Sequence, residues 1–180
     1  MTAMMKFALY SYIPQRFLKR ATFEEQDICR MIIGFKDGRN VYTRWAVRQF
    51  SKSLAAIDLT DTVIVCIPAS TMCAHVRRWK QFSQQLCRQT GAIDGFPYIK
   101  VVAGRKRAHT TGEYELATNI KHLVCIDADY FRGKNVLVID DIYTTGRSSE
   151  AFISAIEATG AHVRMAMFLA KTRWFGYHRD

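Results

Sequence analysis

A chain of 180 residues, 49% hydrophobic and 23% charged, is long enough to bury a core and too apolar for a disordered tail, and it fits a single domain spanning 1–180. Its 26 Lys and Arg against 16 Asp and Glu leave a formal charge of +10, which suits a phosphorylated substrate, nucleic acid or a membrane surface without choosing among them. Five cysteines, an odd number with no close CxxC pair, argue for reduced thiols in the cytoplasm and against a zinc site.

The first ten residues carry some hydrophobicity but are interrupted by Lys6 and followed by Ser11, Pro14 and Arg16, so neither a signal peptide nor a membrane span is expected. From Phe7 to Gly38 aromatics and charges mix without a long period, and Asp37-Gly38 signals a turn. Ala46, Phe50, Leu54 and Ile57 then recur at helical spacing with Arg44, Arg48 and Lys52 between them, which predicts an amphipathic helix over 43–57. A buried strand follows over 62–67, leaving through Pro68, Ala69, Ser70 and Thr71. The next helix turns Val76, Trp79, Phe82, Ser83 and Leu86 to the sheet, assigns Arg77, Arg78 and Lys80 to its solvated side, and ends at Gly91.

A third strand is expected over 98–102, running into a basic, glycine-bounded loop over 104–113 that holds Arg105, Lys106, Arg107 and His109. A solvated surface loop or a nucleic-acid patch is the plain alternative for that loop to a catalytic role. A short helix over 114–120 and another strand over 122–126 come next, and Gly133 marks a turn. After the stretch 136–148, a helix opening at Ser148 or Ser149 presents Phe152, Ile153 and Ile156 inward and stops at Gly160. A last apolar strand covers 163–170, and Lys171, Arg173 and Arg179 lie in a tail. Helices alternating with strands in this way imply an α/β fold, a central parallel sheet flanked by helices with right-handed crossovers.

The stretch 136–148 carries the chemistry. Val136 to Ile139 are apolar without polar alternation, as a strand covered on both faces would be, so Asp140 and Asp141 emerge at its C-terminal end, where loops diverge and ligands bind. Thr144, Thr145 and Ser148 offer hydroxyls, Gly146 permits close backbone approach, and the amides opening the next helix suit a phosphate. Two carboxylates would repel a phosphate resting on them but accept well from sugar hydroxyls, so the pattern fits a sugar phosphate. An ordinary strand-to-helix turn with Ser149 or a neighbour as cap is the plain alternative.

Taken together, the hydrophobic run, the two acids and Thr144-Thr145-Gly146-Arg147-Ser148 resemble the phosphoribosyl pyrophosphate (PRPP) motif of type I phosphoribosyltransferases. The resemblance implies that fold, with a small variable hood; residues 1–40 can form the hood or an N-terminal extension, with 41–172 as core. It implies transfer of the phosphoribosyl group from PRPP to a nitrogen-containing acceptor with release of pyrophosphate. Asp140 and Asp141 would take the ribose hydroxyls, Thr144 to Ser148 the 5′-phosphate, and Ala69, Ser70 and Thr71 the pyrophosphate. Arg105, Lys106, Arg107 and His109 would close over the leaving group. Mg²⁺ would be bound mainly through PRPP, without a dedicated protein metal site.

Segments 34–38, 67–70 and 107–111 with Gly160-Ala161 further resemble the ComF-like branch, without its cysteine-rich zinc module. The alternative function is a non-catalytic protein that senses PRPP or a nucleotide, or binds nucleic acid. Related enzymes are often dimers, so a homodimer is a further expectation. No membrane partner is expected.

Overall fold

A computed structural model describes residues 4–102 and 124–174. In chain order these give β1 (Met5–Tyr12), a 3-10 turn (Gln15–Arg20), α1 (Phe23–Lys36), α2 (Asn40–Leu54) and β2 (Thr62–Cys66). Then come α3 (Met72–His75), a π-helical turn (Val76–Lys80), α4 (Gln81–Thr90), β3 (Ile93–Asp94), β4 (Ile99–Val101) and β5 (Val124–Ile126). The last elements are α5 (Ala128–Phe131), β6 (Asn135–Tyr143), α6 (Arg147–Glu157) and β7 (His162–Thr172).

Among the described residues, five strands form a parallel sheet in the order β1-β7-β6-β2-β3. The apolar runs of β2 and β6 place successive side chains on opposite faces, and each face has its own core. Ile64, Leu137 and Ile139 join Phe35, Phe50, Trp79 and Phe82 from α1, α2 and the helices after β2. Val63, Val65, Val136 and Val138 join Phe131, Phe152 and Ile156 from α5 and α6. Two covered faces explain why neither strand shows polar alternation.

Three features depart from the sequence expectations. The aperiodic N-terminal region contains β1, paired in parallel with β7, and α1, started by a capping box between Thr22 and Glu25. As a sheet-edge strand, β1 is half-exposed along most of its length, which removes the apolar run that would have announced it. The strand expected over 98–102 is the three-residue β4, which pairs antiparallel with β5 outside the main sheet. Its place at the sheet edge is taken by β3, two residues long and held by Gly95 N donating to Ile64 O and Ser83 Oγ donating to Asp94 Oδ1. Residues 103–123, which include the basic loop, the helix expected over 114–120 and the start of the strand expected over 122–126, lie outside the described residues.

Candidate active site

The acids stand inside a strand rather than after one. β6 continues through Asp140 and Asp141 to Tyr143 and stays paired with β7 as far as Tyr143↔Lys171. On its other side the pairing with β2 stops at Cys66↔Ile139, followed by Ile67 N donating to Ile139 O. Beyond Ile139 the β2 and β6 backbones separate. The opening is a cleft of about 290 Å³ whose walls are Pro68, Ala69 and Ser70 on one side and Asp140 through Gly146 with Ser148 on the other. The two loops that the sequence separates by about seventy residues therefore face one another across this cleft.

Gly146 turns the chain from β6 into α6 with φ +83°, a backbone that favours glycine, and a Cβ there would sit 2.5 Å from the Tyr143 hydroxyl, which would have to move. It also occupies the N-cap position, and no side chain caps α6. Ser149 is buried and donates its hydroxyl to Gly146 O at 2.8 Å, so it is not the cap that the plain reading of this turn would need. Gly146 has no side chain with which to cap this eleven-residue helix, whose first turn lies beside Thr144, Thr145 and Ser148, an arrangement suited to an anion.

Asp141 is 5% exposed. Its Oδ1 accepts from Ile142 N at 2.7 Å, and its Oδ2 lies 2.7 Å from Arg78 Nη1, an ion pair without hydrogen-bond alignment. Asp140 Oδ1 accepts from Asp141 N at 2.8 Å. Burial, and then the charge of Asp141, push the Asp140 carboxyl well above the usual carboxylate range, against the pull of the Asp141 N–H, Arg78 and Lys36.

Not every expected residue lines the cleft. Thr71 caps α3, its Oγ1 accepting from Ala74 N at 3.1 Å, and is not part of the cleft wall. Arg147, the first residue of α6, is likewise not part of that wall. Arg105, Lys106, Arg107 and His109 lie outside the described residues.

The site also contains two cations that the sequence reading did not select, Lys36 at the end of α1 and Arg78. Arg78 is not on a solvated helix face: its side chain is 13% exposed, and its Nε donates to Lys36 O at 2.9 Å. A signal for it existed in the spacing. Arg78 follows buried His75 by three residues and precedes buried Phe82 by four, which places it on their side of the helix. For Lys36 no such signal existed, because its approach to the cleft depends on where α1 packs. Among the described residues no group of three or more His, Cys, Asp or Glu could hold a metal ion, and no helix is long and apolar enough to cross a membrane.

A family model for the phosphoribosyl transferase domain matches residues 45–173. Solved structures similar to this chain include adenine phosphoribosyltransferase from Thermoanaerobacter pseudethanolicus, at 20% identity over 74% of this chain and 70% of that one, TM-score 0.48. Adenine phosphoribosyltransferase from Saccharomyces cerevisiae matches at 20% over 74% and 70%, TM-score 0.43, and a hypoxanthine phosphoribosyltransferase from Staphylococcus aureus at 15% over 76% and 69%, TM-score 0.41. No curated protein matches significantly. With 129 of 180 residues inside the family match, from Trp45 in α2 to Arg173 just beyond β7, this chain belongs to the phosphoribosyl transferase domain family.

Proposed function

We propose that the cleft between β2 and β6 binds PRPP and that the protein transfers its phosphoribosyl group to a nitrogen nucleophile. The observation that carries this reading is the juxtaposition of Asp140 and Asp141 with the uncapped start of α6 on one wall and the Pro68 to Ser70 turn on the other. Sugar hydroxyls donate to the carboxylates. The 5′-phosphate accepts from the amides and hydroxyls between Thr144 and Ser148, and the pyrophosphate lies toward Ala69 and Ser70.

In the reaction, the bond from ribose C1 to the pyrophosphate oxygen breaks, and that oxygen leaves with the electron pair. The acceptor nitrogen forms the new bond to C1 and gives up a proton to solvent or a nearby base. Positive charge on the ribose and negative charge on the leaving group grow together, so Asp140 and Asp141 near the sugar and cations near the pyrophosphate both stabilise the transition state. Lys36 and Arg78 are cations in place, and Arg105, Lys106, Arg107 and His109 are the proposed closing set.

Asp140 and Asp141 would offer carboxylate oxygens to a Mg²⁺ ion that takes most of its ligands from PRPP and water, and the ion would supply positive charge to the departing pyrophosphate. The acceptor side is proposed to involve the N-terminal residues, where a second cavity of about 360 Å³ lies between the 3-10 turn, α1 and α2. The ComF-like affinity is part of this proposal, supported by the sequence segments 34–38 and 67–70, of which Lys36 and Ile67 to Ser70 line the cleft.

Calorimetric titration with PRPP and Mg²⁺ tests the reading. Binding by the parent that is lost in the Asp140→Asn, Asp141→Asn double variant is expected. Equal binding by both proteins would place the ligand elsewhere.

A further inference from the structure

Both oxygens of Asp141 have partners within the protein. Oδ1 takes the Ile142 N–H, and Oδ2 faces Arg78 Nη1 at 2.7 Å, with the two side chains only 7% and 13% exposed. A sugar hydroxyl that approaches Oδ2 shares it with the guanidinium and competes with it for the carboxylate. Removing a partner from a nearly buried ion pair is costly unless each charge finds a replacement at the same time. The cleft supplies the means for that exchange.

Arg78 has a second acceptor at the end of α1, with Nε donating to Lys36 O; because the guanidinium is one rigid plane, its Nη groups leave Asp141 only when the whole group swings and gives up that bond too. The π-helical turn of Val76–Lys80 points it to the cleft, and such turns often occur where a helix must aim a functional side chain. The same cleft is walled by Ala69 and Ser70, where an anionic group of the ligand would lie. The pairing of Asp141 with Arg78 also lacks hydrogen-bond alignment, so less is lost when it opens.

We propose that Arg78 is an exchangeable counter-ion. It neutralises Asp141, gives way at that carboxylate to the sugar hydroxyls, and swings its guanidinium from Asp141 and Lys36 O to the pyrophosphate oxygens. Arg78 is then a substrate-binding residue, and it couples the two halves of the ligand. A group binding at the pyrophosphate end draws Arg78 away and frees Asp141 for the sugar; a group binding at the sugar end frees Arg78 for the pyrophosphate. The coupling is reciprocal by linkage. This inference rests on the reading of the cleft as a PRPP site.

The test uses two fragments of the ligand as probes, ribose 5-phosphate and pyrophosphate, each titrated with Mg²⁺ alone and in the presence of the other. Parent, Arg78→Met and Arg78→Lys are compared, with circular dichroism and thermal melting confirming that each variant folds. In the parent, pyrophosphate is expected to raise affinity for ribose 5-phosphate about fivefold or more, within the usual range of coupling between sites. In Arg78→Met that coupling disappears, pyrophosphate binds about tenfold more weakly, and ribose 5-phosphate binds as well as in the parent or better, because Asp141 is no longer occupied. Arg78→Lys keeps the charge but cannot span Lys36 O and Asp141 together, so it retains part of the pyrophosphate affinity without the coupling.

Weaker ribose 5-phosphate binding in Arg78→Met would mean that Arg78 is a static brace for Asp141 and would overturn the exchange. Coupling that is absent from the parent, or that persists unchanged in Arg78→Met, would overturn it too. In those cases the PRPP reading survives, since both fragments still bind. If the parent binds neither fragment nor PRPP, both conclusions fail together.

Discussion

The cleft at the end of β6 and the cavity beside α1 are of similar size, about 290 and 360 Å³, but they are made from different parts of the chain. The cleft is walled mainly by the loop leaving β2, the C-terminal end of β6 and the turn into α6, and its polar groups are backbone amides, hydroxyls, two carboxylates and the cations Lys36 and Arg78. The cavity is walled by the side chains of Tyr12, Ile13, Leu18, Cys29 and Ile33, with polar groups such as Gln26 and Asp37 among them. Strand ends in a parallel sheet form a cleft wherever two neighbours diverge, so that site follows from topology. The cavity depends on how a 3-10 turn and two helices happen to pack. Specific chemistry at the first and adaptable shape at the second is what a transferase with one fixed donor and a separate acceptor would use.

Four measurements can break or sharpen that contrast. The largest effect is expected from removing both acids of the cleft: Asp140→Asn with Asp141→Asn should weaken PRPP binding about 100-fold or more in calorimetry, since each lost charge-assisted hydrogen bond is worth about 1.5–3 kcal/mol. A loss under about threefold would show that the two carboxylates do not distinguish the cleft from the cavity.

Next comes acid stability, read at His75. This side chain is 1% exposed, stacks on Phe96 at a centroid distance of 5.0 Å, and neither ring nitrogen has a hydrogen-bond partner among the described residues. Burial, helped by the charge of Arg78, lowers its pKa from 6.5 to about 4. The unfolded chain therefore takes up the proton first as pH falls. The stability that the neutral ring contributes is present above pH 6.5 and lost between there and about 4, amounting to about 2–3 kcal/mol. Urea unfolding across that range should show the loss in the parent and not in His75→Phe; identical slopes would mean that His75 is not the proton acceptor.

Gly34→Ala addresses the cavity. The Tyr42 ring lies directly where the new methyl would go, so the ring must move, and overpacking of this kind costs about 1–3 kcal/mol in a thermal melt. PRPP affinity should change less than twofold in the folded variant. A larger change would show that the two cavities are coupled through the last turn of α1.

The smallest effect is expected at Gly146→Ala, where the left-handed backbone and the contact with Tyr143 together cost about 1–2 kcal/mol of stability. Here PRPP affinity should fall as well, because the amides that open α6 are displaced. A variant that loses stability while binding PRPP as the parent does would exclude this turn from phosphate binding.

Much of the site was legible because its parts are contiguous. Val136 to Ser148 holds a buried strand, two acids and a glycine turn within thirteen residues, and each has a local physical signature. The strand over 62–66 and the α6 helix announced themselves in the same way, through an unbroken apolar run and a 3.6-residue period. β1 did not, since an edge strand half open to solvent has no reason to be uniformly apolar. Arg78 departs from the solvated face that a run of charges predicts, because its spacing from His75 and Phe82 puts it on the buried side.

By itself, then, the sequence determined the alternation of helices and strands, the identity of the two acids and the turn that suits a phosphate. All of these arise from periodicity and from backbone demands within a few residues. Only the tertiary structure decided that Pro68 to Ser70 faces Asp140, that α1 brings Lys36 to the rim, and that Asp141 is held by Arg78 from another helix. Those contacts join segments tens of residues apart, and their free energy comes from packing that no local pattern records.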